Sequence, residues 1–232
     1  MPKYVGIDAG SFGKPSWVAE LDGDTAVLEA VQLHFQDRFP LGRFVNDPGV
    51  LAIAVDAPQG LPEGLKRRRV CDELADAPTR RLPETRPEMV AGCCTDGTRI
   101  AYHGVLCLGV ELFLAHHEQV LGIPDCPTPR LMETYPRAIY RCLTGSAPPS
   151  KRRTPLRYMT AVYGVLSELG IRCPGLRTPS VGQADALLCA LVARLFVEEK
   201  VTCVGTAPWV DHRQNVLREG FIVLPDQALV KK

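Results

Sequence analysis

Val50-Leu51-Ala52-Ile53-Ala54-Val55-Asp56 is an unbroken apolar run closed by an acid. A strand with one wet face alternates polar and apolar residues. This run does not alternate, so it reads as a strand covered on both faces, as at the centre of a parallel sheet. Tyr4-Val5-Gly6-Ile7-Asp8 repeats the wording near the N-terminus, before the turn-forming stretch Ala9 to Pro15. Two buried strands therefore end in aspartate, and open α/β sheets collect their ligands at the carboxyl ends of strands. The predicted class is α/β, with a mixed central sheet flanked by helices.

Outward from these strands, Trp17-Val18-Ala19-Glu20-Leu21, the hairpin signal Asp22-Gly23-Asp24 and the stretch Ala26 to Phe35 extend the first strand into a three-stranded antiparallel meander. Phe39 to Phe44 reads as a short helix. Pro58 to Ile100 is rich in Arg, Pro and Gly, with one short helix near Arg67 to Leu74. It is too long for an ordinary connection and predicts an insertion at about 58–104 within a single domain spanning 1–232. Val105 to Leu121 has helical apolar spacing, and Arg130 to Tyr135 is a short strand closed by Pro136. Together with Val50 to Asp56 it makes two parallel strands beside the meander. Thr154 to Leu169 and Val181 to Val197 read as helices, the second with an apolar stripe and Asp185 near its start.

The 232 residues suffice to bury one core without metal or disulfides. A net charge of +1 supplies no global field for a polyanion, so nucleic-acid binding would need local clusters. The nine cysteines contain no C-x-x-C pair, which argues against a zinc ribbon or a disulfide framework. No signal-peptide stretch and no membrane-length apolar run occurs, so the expectation is a reducing cytoplasm and no membrane partner.

Four acids stand where an ordinary surface acid would not: Asp8 and Asp56 after buried strands, Glu133 at a short strand's end and Asp185 inside an apolar helix. Clustered carboxylates repel one another and are tolerated when a divalent cation neutralises them. Oxygen-only ligands favour Mg²⁺ or Mn²⁺, and two such ions can activate water for phosphodiester cleavage. Each acid also has an ordinary reading: Asp8 and Asp56 as turn formers, Glu133 as a partner of Arg130 or Arg137, Asp185 as a helix cap. Lys66-Arg67-Arg68-Arg69 with Arg80-Arg81 is the densest basic patch, suited to phosphates or simply to a solvated helix face. Lys151-Arg152-Arg153 with Arg157 is a second patch, marked as an exposed loop by Pro148-Pro149. Tyr135 and Tyr140 suit base stacking or the core. His116-His117-Glu118 points its side chains apart. Gly10 to Pro15 lacks the Walker A residues, and Cys107 and Cys189 read as core.

The segments Val5 to Gly10, Val55 to Pro62, Arg67 to Asp72, Glu133 to Ala138, Ala184 to Leu191 and Glu219 to Pro225 resemble a family known as domain of unknown function 429, predicted to be nucleases. The resemblance spans nearly the whole chain. It implies a ribonuclease H-like fold and Mg²⁺- or Mn²⁺-dependent hydrolysis of nucleic acid. It assigns Asp8, Asp56, Glu133 and Asp185 as catalytic metal ligands and Asp72 as an outer acid; the residues expected towards substrate are Arg67, Arg68 and Arg69 of the basic patch, with Asp72 and Arg137. Gly6-Ile7-Asp8-Ala9-Gly10 also resembles the first phosphate segment of the actin and sugar-kinase group, implying a single-lobe phosphotransferase that would need a homodimer for its second lobe. A non-catalytic nucleic-acid or protein-binding module on the same fold is the third expectation.

Overall fold

The computed structural model describes residues 2–10, 15–31, 41–64, 68–76, 101–174 and 179–226. Strands β1 (Lys3–Asp8), β2 (Ser16–Asp22) and β3 (Thr25–Val31) form the expected meander, turning at Gly23 with φ 57°. β4 (Val50–Asp56) pairs parallel to β1, and β5 (Arg130–Glu133) pairs parallel to β4. Among the described residues the sheet holds seven strands rather than the expected five. β6 (Val201–Asp211) and β7 (Val216–Pro225) form a C-terminal hairpin that joins through β7, parallel to β5, giving the order β3-β2-β1-β4-β5-β7-β6.

Side chains of β1, β4 and β5 alternate between two cores. Tyr4, Ala52, Ala54 and Met132 meet helices α4 (Pro136–Thr144), α5 (Pro155–Glu168) and α6 (Val181–Val197). Val5, Ile7, Ile53, Val55 and Leu131 meet α1 (Leu41–Val45) and α3 (Ala101–Ala115). The unbroken apolar wording of β4 thus follows from cover on both faces. The short helix α2 (Val70–Leu74) packs on the β6–β7 hairpin. α3 ends at Ala115, short of the expected Leu121, and a 3₁₀ turn His117–Gln119 follows.

α6 is buried on nearly every side, from Gln183 to Ala193, because it lies between the sheet and the outer helices; the sequence stripe marks only part of that burial. Ser180 and Gln183 close its N-terminus as a reciprocal capping box. Its backbone touches β1 at Gly6, where an added Cβ would lie 2.0 Å from the Ala190 nitrogen. Among the described residues no helix is long and apolar enough to cross a membrane. Arg67, Arg80, Arg81, Cys93 and Cys94, and most of the expected insertion, lie outside the described residues.

Candidate metal centre

Asp8 and Asp56 are direct partners in the β1–β4 register, so both carboxylates leave the sheet side by side at the carboxyl ends of neighbouring parallel strands. Their pleat position is that of Gly6 and Ala54, the face covered by α6. The helix runs close enough there for Asp185, in its second turn, to join them. Carboxylate oxygens of Asp8, Asp56 and Asp185 lie within 4.8 Å of one another. Asp8 and Asp56 are half-buried, whereas Asp185 is 3% exposed. Gly182 keeps the junction closed: a Cβ there would lie 2.3 Å from Cδ1 of Trp17 and 2.8 Å from Oδ2 of Asp8.

Two further side chains complete the group. The Lys151 ammonium donates to Oδ2 of Asp185 at 2.5 Å, and the Tyr158 hydroxyl donates to Oδ1 at 2.5 Å. Burial pushes the Asp8 carboxyl well above the usual range, and the charges of Asp185 and Asp56 push it further. Asp185 is raised as well, by burial first, with Lys151 opposing and Asp56 adding to it. Burial works to lower the Lys151 ammonium, but attraction to Asp185, Asp56 and Asp8 outweighs it and holds the ammonium above its ordinary value. Burial, then Asp185, raises the Tyr158 phenol, so it stays a proton donor. Burial and then the three aspartates also raise the neighbouring Cys189 thiol, which therefore stays protonated and unreactive, as a core cysteine should. Three hard oxygen donors that resist sharing their negative charge fit Mg²⁺ or Mn²⁺ better than zinc.

Glu133 does not join this group. It is level with Val55, one residue short of Asp56, and a one-residue difference in a pleated strand turns a side chain to the opposite face. Its oxygens instead accept from Arg69 at 2.6 and 2.7 Å and from the Gln59 amide at 2.8 Å. Arg69 also donates to Asp72 through Nε at 2.9 Å and Nη2 at 2.8 Å. Arg69, Asp72 and Glu133 are all fully buried, which withdraws Arg69 and Asp72 from substrate contact. Attraction to Glu133 and Asp72 overcomes burial and holds the Arg69 guanidinium firmly charged. Arg68 is half-buried, Arg137 is exposed as the second residue of α4, and Tyr135 is core.

Sequence reasoning missed Lys151 and Tyr158 as members of the site. Pro148-Pro149 correctly marked a loop, but no sequence signal shows that one residue of its basic run turns inward. Tyr158 reads as an ordinary apolar-stripe position. No protein-family model, no curated protein and no solved structure matches the chain.

Proposed function

We propose that the chain is a Mg²⁺- or Mn²⁺-dependent hydrolase of nucleic-acid phosphodiester bonds, with a ribonuclease H-like placement of its acids. The observation that carries this reading is the meeting of Asp8, Asp56 and Asp185 from β1, β4 and α6 at the carboxyl edge of two parallel strands. A bound ion would supply a water of lowered pKa as nucleophile and charge to offset the phosphate.

The protein's own groups have separable tasks. Asp8, Asp56 and Asp185 would hold the cation, and Tyr158 fixes the rotamer of Asp185 by donating to Oδ1. Lys151 offsets one of the three carboxylate charges. Two negative charges then remain when all three acids are ionised, matching a single divalent ion. Two-ion chemistry would need a second divalent cation, whose charge the substrate phosphate would help to balance beside the same three aspartates.

Oligonucleotides of single-stranded, duplex, hybrid and branched form, incubated with purified protein and Mn²⁺, test the reading. Expected is cleavage that stops with chelator and in Asp8→Asn or Asp56→Asn; cleavage indifferent to both substitutions overturns it. One observation favours a non-catalytic module instead: Lys151 already stands 2.5 Å from Asp185 as an internal cation. That reading expects no rise in melting temperature on adding Mn²⁺.

A further inference from the structure

We propose that the turn and helix start carrying Arg152, Arg153 and Arg157 form the surface that seats the phosphate backbone of a polynucleotide beside the aspartates. The inference rests on the hydrolase reading for the reaction it serves, but not for the binding it predicts.

Lys151 fixes where this surface lies. Its side chain runs inward to Asp185, and the next two residues, Arg152 and Arg153, are exposed, as is Arg157, the third residue of α5. The turn is rigidly held around Ser150: its carbonyl accepts from the Thr154 amide at 2.9 Å and from the Thr154 hydroxyl at 3.2 Å, and its Oγ accepts from the Arg153 amide at 3.1 Å. Pro148-Pro149 before it and Pro155 after it limit its freedom further. The three arginines are thus exposed on a backbone already fixed next to the residue that reaches Asp185, so only their side chains have to be ordered on binding.

Their charges are free to meet an external anion, and unlike the separate Arg137, Arg172 and Arg213, also without a carboxylate partner among the described residues, they stand together in one short run. Arg43, Arg69, Arg141, Arg194 and Arg218 each pair with a carboxylate. Among the described residues, Arg152, Arg153 and Arg157 pair with none, and the run 151–157 contains no acid. With Lys151 and one divalent ion the three aspartates are only neutralised, so the charge that draws in a polyanion has to come from outside the group, and this exposed patch adjoining Lys151 in the chain can supply it. The patch favoured by sequence density cannot take that role through Arg69, whose guanidinium is spent on Glu133 and Asp72 inside the protein.

Fluorescence anisotropy with a labelled single-stranded oligonucleotide, across a sodium chloride series, tests the surface. The full chain carrying Asp8→Asn serves as the background, so no turnover intervenes. Combining Arg152→Gln, Arg153→Gln and Arg157→Gln should raise Kd at least about tenfold near 0.1 M salt. The slope of log K against log salt should fall by about 2 to 3. The triple Arg→Lys variant should keep that slope, and Arg213→Gln, on the β6–β7 turn, should leave both values unchanged. Equal binding by the triple Gln variant overturns the surface, as does absence of oligonucleotide binding or tighter binding to anionic vesicles or polyglutamate. Failure of the hydrolase reading is distinct: arginine-dependent binding without cleavage upholds the surface, and cleavage with unchanged KM in the triple Gln variant overturns the surface alone.

Discussion

Asp8 is held in a position unfavourable to its own charge, since burial and two neighbouring aspartates raise its pKa. Removing that charge should therefore stabilise the metal-free protein. Asp8→Asn is expected to raise unfolding free energy in chelator by about 1 to 3 kcal/mol while abolishing the melting-temperature gain from Mn²⁺. Differential scanning fluorimetry with and without the ion reads both effects, and a less stable Asp8→Asn protein would refute the account. Lys151 should behave in the opposite way. Lys151→Met leaves the buried Asp185 carboxylate without its cation and should cost about 2 kcal/mol in chelator. It also removes a competing positive charge, so Mn²⁺ should bind more tightly by calorimetry. Weaker Mn²⁺ binding would instead make Lys151 part of the ion's support.

Two contacts between elements decide whether the acids meet. α6 rests on β1 backbone to backbone at Gly6, and neither side can yield by rotating a side chain. Gly6→Ala should cost about 3 kcal/mol or prevent folding. The nearest atoms to an added methyl in Gly182→Ala are side-chain atoms of Trp17 and Asp8, which can shift. Its fold should survive, with Mn²⁺ affinity reduced about tenfold as Asp8 is displaced. β5 gives the complementary case. Glu133→Gln should cost about 3 kcal/mol by denaturant unfolding, because Arg69 loses a buried counter-charge, and should leave the Mn²⁺-induced stabilisation intact. Loss of that stabilisation would return Glu133 to the metal group.

The whole molecule should respond to pH through the same aspartates. Asp8 and Asp185 have folded-state pKa values above their ordinary ones, so the folded state binds protons more readily than the unfolded chain. Their contribution is present in full below about pH 4 and is lost as pH rises through the raised values. In chelator, wild type should therefore lose stability relative to Asp8→Asn between acidic and neutral pH, and Mn²⁺ should close the gap. Urea unfolding at several pH values measures this, and a constant difference would count against it. At this scale the sequence by itself determined a good deal. It fixed the meander, the buried β4 and the strand-end positions of Asp8 and Asp56, because apolar continuity and turn residues act over a few neighbours. It also marked Asp185 as anomalous in an apolar helix. Tertiary structure alone decided the rest. The β6–β7 hairpin enters the sheet by pairing with a strand far away in sequence. The face of Glu133 depends on a register one residue from that of Asp56, which the wording of β5 does not carry. The inward turn of Lys151 and the outward turn of its neighbouring arginines depend on where α6 places a buried carboxylate. Such facts arise from contacts between distant segments, and local residue order encodes them only through the packing of the folded chain.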